Sequence, residues 1–233
     1  MTDKVNCLIC GAELEYNSRA SALTCYFCGQ EFQASVKCRQ GHYVCDSCHS
    51  LSAVEVIAQA CSASRETDPI ALAADLMRHP SVHMHGPEHH FLVPAVLLAA
   101  YYNILGDGAA KAEKIAIARE RAENVLGGFC GYYGSCGAGV GTGIFISVLT
   151  GATPLSRREW KLANQMTARS LLAIADAGGP RCCKRDTFIA ILEAARFLKD
   201  NFGVNLPITT KIECEFSHLN KECLAAECQF YKA

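Results

Sequence analysis

The sequence predicts a mainly α-helical protein, with a small zinc-ribbon-like module over residues 1–50 and an all-helical, Cys/His-rich domain over 51–233 that ends in a cysteine-containing tail. Three observations carry that prediction. Seven of the fifteen cysteines fall before residue 50, in metal-ligand spacing. From Leu51 onward apolar residues recur at helical intervals. No series of alternating strand-like positions follows them.

Composition narrows the classes further. The chain has 233 residues, half of them apolar, and a net charge of −1. That is long enough to bury a real core. No apolar run reaches the roughly 18 residues of a membrane span. The opening "MTDKVNCLIC" lacks the apolar core of a signal peptide. Near-neutral charge argues against bulk electrostatic binding of nucleic acid. Clustered thiols in such a chain read as metal ligands, cluster ligands or catalysts in a reducing cytoplasm, not as a disulfide framework.

In the first fifty residues, "CLICG" and "CYFCG" place Cys7, Cys10, Cys25 and Cys28 in two C-x-x-C-G knuckles. "CRQGHYVCDSCH" adds Cys38, His42, Cys45 and Cys48, with His49 as a spare. Eight ligands make two four-ligand zinc sites, whose pairing is either sequential or cross-braced. So short a module cannot build much core, so bound metal must supply much of its folding energy. Closed four-ligand sites leave no open coordination position, which points to a structural cap or a module that docks a partner protein.

Helices follow in order. "SAVEVIAQAC" and "DPIALAADLMRH" have helical spacing, the second opening with Asp68 as cap and Pro69 at the first helical position. "FLVPAVLLAAYYNILG" is apolar nearly all round and reads as a buried helix, whereas "GAAKAEKIAIARERAENVLGG" is charged on one face and reads as an outer one. "SRREWKLANQMTARSLLAIADAGG" puts Ser156 and Glu159 in capping-box register. "DTFIAILEAARFLKDNFG" predicts a last helix from Asp186 to Gly203.

Between the helices lie chemically unusual segments. "HPSVHMHGPEHHF" packs five of the eight histidines into thirteen residues, with Gly86 and Pro87 breaking any helix there and Pro87 able to start one bearing His89 and His90. "CGYYGSCGAGVGTG" carries Cys130, Cys136 and a run of glycines, which either lets a buried helix approach its neighbours or bares N–H groups for an anion. "GGPRCCKRD" sets Cys182 and Cys183 beside Lys184 and Arg185 before a helix, where lowered thiol pKa values are expected. Cys214, Cys223 and Cys228 in the tail fit no standard knuckle spacing, though a folded tail can donate a ligand.

"SVHMHGP" is similar to the Ser-Ser-His-Thr-x-Gly-Pro stretch that holds the substrate carboxylate in the iron–sulfur L-serine dehydratases and their cysteine-desulfidase relatives. Ser81, His83, Gly86 and Pro87 match, and Val82 and His85 depart. "SCGAGVGTGIFISVLTGATP" resembles the segment with their cluster cysteine, which would make Cys136 a ligand, and Cys182 or Cys183 matches the next. Their third ligand has no counterpart in "RDTFIAILEA", so Cys130 or a tail cysteine would have to substitute. Over nearly its whole length the chain also resembles a cysteine-rich family from anaerobes with an N-terminal zinc ribbon and no assigned reaction, through "HGPEHHFLVPAVLL", "GTGIFISVLTGATPLS" and "GGPRCCKRD".

Two functional classes follow. One is a metal- or [4Fe–4S]-dependent enzyme that dehydrates or desulfurates a small carboxylate. Cluster ligands would come from Cys130, Cys136, Cys182, Cys183, Cys214, Cys223 and Cys228; His83 or His85 would move a proton, Arg185 would clamp a carboxylate, and Ser81, Gly86 and Lys184 would line the substrate site. The other is a zinc-binding adaptor, or a sulfur or metal carrier, that docks a partner protein, with His83, His85, His89 and His90 completing a further zinc site.

Overall fold

A computed structural model describes residues 7, 9, 10, 12–45, 48 and 52–232. The spare His49 and the 50/51 boundary lie outside them. The fold is mainly helical, with a cysteine-rich N-terminal region built on one hairpin. Strands β1 (Leu14–Thr24) and β2 (Glu31–Cys38) pair antiparallel, from Leu14 opposite Cys38 to Thr24 opposite Glu31, with an irregularity between Tyr16 and Ser21. Residues 15–22 of β1 are exposed on both faces, so the strand carries no apolar alternation that a sequence reading could detect.

Helix α1 (Ala53–Ala63) opens with a capping box, the Glu55 N–H donating to Ser52 Oγ and the Ser52 N–H to Glu55 Oε2. In α2 (Pro69–Met77) Asp68 Oδ1 accepts from the Ile70 N–H at 2.8 Å, as its cap position predicts. The central helix α3 (Glu88–Leu105) is buried from Phe91 through Ala100 and ends at Gly106, whose φ of 72° suits glycine. Around it pack α1, α2, the outer α4 (Gly108–Ala122), α6 (Gly137–Thr150) and α8 (Cys183–Phe202). The short α5 (Phe129–Tyr132) leads into α6, and α7 (Arg158–Asp176) packs on α6 and α8. Among the described residues no helix is long and apolar enough to cross a membrane.

Two expectations are corrected here. The capping box at Ser156 and Glu159 does not form, because the Ser156 hydroxyl is spent on the Thr153 N–H at 3.0 Å and α7 starts without a side-chain cap. The last helix begins at Cys183, three residues earlier than expected, since Lys184 and Arg185 find tertiary partners that let them be buried.

The glycines of α6 serve close packing. A Cβ on Gly137 would stand 2.0 Å from the His90 ring, and one on Gly141 would stand 2.9 Å from the His90 carbonyl, both on α3. On the opposite side, Gly139 and Gly143 press on Leu171 and Thr167 of α7. Spacing of four repeats each pair on one face, so α6 is pinched between two helices.

Beyond α8 the tail runs to residue 232 with two short 3-10 turns and one isolated bridge, Cys214 to Tyr231. It folds back over the start of α8, burying Phe216 and Phe230, and Phe230 meets Phe188 edge-on at 5.5 Å. The hairpin joins the helices through Tyr26, whose hydroxyl donates to Asp75 Oδ2 at 2.5 Å, and Phe27, edge-on to His79 at 4.6 Å.

Candidate metal centres

The eight N-terminal ligands gather in two sets. Cys7, Cys10, Cys38 and His42 form one and Cys25, Cys28, Cys45 and Cys48 the other, with the ligand atoms of each set all within 4.8 Å of one another. The pairing is therefore cross-braced. Antiparallel pairing produces it: Cys38 ends β2 opposite Leu14 at the start of β1, which brings it to the Cys7–Cys10 knuckle and leaves the Cys25–Cys28 turn to Cys45 and Cys48.

The edges of these sets suit one tetrahedral ion. Metal–sulfur bonds of about 2.3 Å put sulfurs about 3.8 Å apart. Cys10 and Cys38 Sγ are 3.5 Å apart, Cys28 and Cys45 Sγ 3.9 Å, and His42 Nδ1 lies 3.8 Å from Cys7 and 3.7 Å from Cys38. Backbone amides point at the sulfurs, Ile9 N–H to Cys7 at 3.4 Å and Gln40 N–H to Cys38 at 3.1 Å. Burial works to raise Cys38 and Cys25, yet amide donors and neighbouring groups outweigh it and bring them down to about 6 and about 7. Cys7, Cys28 and Cys48 are raised, burial being the first cause. One thiol of each set ionises readily while others keep their protons, a conflict that a bound cation resolves by deprotonating all of them.

The histidine-rich stretch does not converge on one point. His89 is buried, its ring between Thr187 Oγ1 at 3.0 Å and the His83 carbonyl at 3.1 Å, and burial holds it down at about 3. His90 donates to the Val125 carbonyl at 2.8 Å and packs on Gly137. His85 reaches Asn220 Oδ1 at 3.2 Å in the tail. His83 is 71 % exposed, with Nδ1 3.1 Å from Glu88 Oε1. Among the described residues only the two N-terminal sets bring three or more ligand atoms so close, so these imidazoles form no zinc tetrad.

Glu88 is the member sequence reasoning passed over. Its carboxylate is buried and accepts both the His83 N–H at 2.8 Å and the His83 ring. A Cβ on Gly86 would lie 2.0 Å from Glu88 Oε2, so the glycine before Pro87 was the available signal. His83, Lys184, Arg78 and His218 line a cleft of about 880 Å³ that also touches Cys7, Cys10 and His42 of the first tetrad. Lys184 is buried there, Nζ donating to the Met77 and Val82 carbonyls at 3.0 and 2.9 Å. Ser81 stands nearby, its N–H on His79 Nδ1 at 3.1 Å.

The remaining thiols divide around the first turn of α8. Cys182, at its N-cap, shares a narrow cavity with Cys214, Cys223 and Cys228, walled by Phe188, Phe216 and Phe230. Cys130 and Cys136 line a separate recess of about 590 Å³ with Asp186 and Arg181, the Cys136 thiol facing Asp186 Oδ2 at 3.7 Å. Arg185 borders both, its guanidinium held by Asp186 Oδ1 at 3.1 Å and by the Gly178 and Pro180 carbonyls at 2.7 and 3.2 Å. Met84 and Phe216 line both the tail cavity and the cleft.

The expected lowering of the Cys182 and Cys183 pKa values is overturned. Burial raises Cys182 to about 11 and raises Cys183 too, because desolvation of a thiolate outweighs the helix-start amides and the neighbouring guanidinium.

No curated protein and no solved structure matches the chain. One family model does, over residues 57–231, from α1 through the tail cysteines; the chain belongs to the family of unknown function DUF5714.

Proposed function

We propose that the chain is a metal-dependent enzyme of the lyase class that removes water or sulfide from a small carboxylate substrate. The observation that carries this reading is the pairing of exposed His83 with buried Glu88 at the cleft wall. The carboxylate accepts from Nδ1–H, which leaves the Nε2 lone pair to accept a proton. His83 would take the proton beside the substrate carboxylate and return it to the departing hydroxide or hydrosulfide. The products are an unsaturated carboxylate and water or hydrogen sulfide. Lys184 lends positive charge to the cleft, where Arg78 is paired with Glu215, Ser81 and Gly86 shape the loop that carries His83, and His85 and Arg185 stand toward the tail cavity.

For the cofactors, the two tetrads fit structural zinc, since sulfur-rich, closed, tetrahedral sets are what that ion takes. An iron–sulfur cluster held by thiols around the start of α8 would be the second cofactor: held by three thiolates it would leave one iron open to polarise the leaving group, and held by four it would be closed and order the fold. The cleft and the tail cavity share Met84 and Phe216, which supports the two working together.

The test is elimination by anaerobically purified protein offered three-carbon 3-hydroxy and 3-thiol amino acids, whose 2-aminoacrylate product tautomerises to an imine and hydrolyses in water to a 2-oxoacid and ammonia, with the 2-oxoacid trapped as a hydrazone. His83→Gln should cut the rate by about 10²–10⁴ with metal content unchanged. No oxoacid from the wild-type chain sinks the lyase reading. The second reading, an adaptor or carrier docking a partner protein through the zinc module, draws on the hairpin, whose residues 15–22 are open to solvent on both faces.

A further inference from the structure

We infer that Cys182, Cys214, Cys223 and Cys228 together hold an iron–sulfur cluster, a third metal centre closed by the tail. The choice of cofactor rests on the cluster reading above; the choice of ligands rests on four observations.

The four thiols line one cavity although they come from two distant parts of the chain. Cys182 is presented by the N-cap of α8 and the other three by a tail loop tied at Cys214 and Tyr231.

The amide pattern of the tetrads recurs here. The Phe216 N–H donates to Cys214 Sγ at 3.4 Å and the Ala225 N–H to Cys223 Sγ at 3.4 Å. Each bond runs from residue i+2 to the sulfur of residue i, as Ile9 to Cys7 and Gln40 to Cys38 do in the first tetrad.

Ala225 has a φ of +47°, the one positive φ outside glycine among the described residues. It sits two residues after Cys223, much as Gly41, at +88°, sits between Cys38 and His42. An alanine persists in that region only where its surroundings over-determine it, and ligation at Cys223 and Cys228 on either side would do so.

The tail lacks a sheet or an α-helix of its own, and is ordered by buried Phe216 and Phe230, the His85–Asn220 contact and the Arg78–Glu215 pair. Loops of this kind are stapled by metal. The sulfurs are spread more widely than in the tetrads, which alone satisfy the 4.8 Å separation among the described residues. A cluster bridges more widely spaced thiolates than one ion can. Among the described residues the lining pairs the thiols with Phe188, Phe216, Phe230 and Met84, a soft setting in which Glu222 is the one carboxylate.

The experiment is anaerobic purification of the full chain, with iron, zinc and acid-labile sulfide counted per chain. Cys182→Ser, Cys214→Ser, Cys223→Ser and Cys228→Ser are compared with Cys130→Ser and Cys136→Ser. The wild type should hold iron and sulfide in equal amounts beside zinc. Each of the first four variants should lose most of the iron and sulfide while keeping zinc and helical circular dichroism, and the last two should keep both. Iron retained in the first four, or lost only from the last two, overturns this ligand set and leaves the cluster reading standing. Extra zinc without sulfide, or no iron at all, overturns both. Should a tail variant fail to fold, the wild-type chain still decides: Cys214, Cys223 and Cys228 should resist alkylation until iron is stripped. Equal labelling before and after overturns the assignment. None of these readouts depends on elimination activity, so an inactive protein with this cluster sinks only the lyase reading.

Discussion

Cys10 and Cys38 lie 28 residues apart in sequence and 3.5 Å apart through their sulfurs. That contact decides how the module is wired. In a sequential arrangement Cys10 would share its ion with Cys25 and Cys28; here it shares with Cys38 and His42. Paired substitutions therefore separate the two arrangements. Cys10→Ser with Cys38→Ser should cost one tetrad and leave the other ion bound, whereas Cys10→Ser with Cys28→Ser should cost both ions, read as zinc per chain by mass spectrometry under native conditions. Retention of one ion by the second pair would mean sequential wiring.

Close packing of α6 predicts a contrast between two glycines. Gly137→Ala places a methyl 2.0 Å from the His90 ring, which must swing away and give up its 2.8 Å bond to the Val125 carbonyl. The expected loss is about 1–3 kcal/mol of unfolding free energy, the usual range for overpacking. Gly108→Ala, at the start of α4 with nothing within 4 Å, should be neutral or stabilising by about 0.5–1 kcal/mol. Equal effects of the two in a thermal melt would refute the packing account.

What the sequence makes legible is whatever local chemistry determines. Asp68 and Pro69 announce α2, Gly106 and Gly203 stop α3 and α8, and the C-x-x-C knuckles announce metal. The hairpin is silent because neither face of residues 15–22 is buried, so no period of two was needed. The true start of α8 is hidden because Lys184 is reconciled with burial by the Met77 and Val82 carbonyls, about a hundred residues away in sequence. His89 and His90 look like one metal-binding pair, yet the helical turn sends one to Thr187 and the other to Val125. The tail cavity is illegible for the same reason: its fourth thiol, Cys182, arrives from another element.

Stability should depend on pH through His89. Burial first, then the charge of Lys184, holds its imidazole at about 3, against about 6.5 in an unfolded chain. The folded state thus binds fewer protons between these values, so stability is constant above pH 6.5 and falls as pH drops below it. One proton makes the slope about 1.4 kcal/mol per pH unit. Metal release by protonated thiols adds its own slope, so the quantity to measure is the wild type minus His89→Gln, an amide that can still donate to the His83 carbonyl. That difference should shrink toward acid below pH 6.5 and stay level above it. A level difference throughout would show that His89 does not control the acid limb.

The tail is also anchored from outside its cavity, by Arg78. Its guanidinium meets the Glu215 carboxylate in a two-pronged pair, Nε and one terminal nitrogen each 2.8 Å from an oxygen, and Glu215 directly follows Cys214. The geometry is good, but Glu215 is half open to water, so the pair is worth about 1 kcal/mol. Arg78→Ala should therefore speed exchange of the Cys214 amide, which donates to the Phe230 carbonyl at 2.6 Å, by about fivefold. Glu215→Gln keeps one acceptor for the guanidinium and should have the smaller effect. Exchange at Leu98, in the middle of α3, should not change, because that helix is buried independently of the tail. Unchanged protection at Cys214 in Arg78→Ala would mean that burial of Phe216 and Phe230, together with the metal at Cys214, fixes the tail, and that the ion pair only decorates its rim.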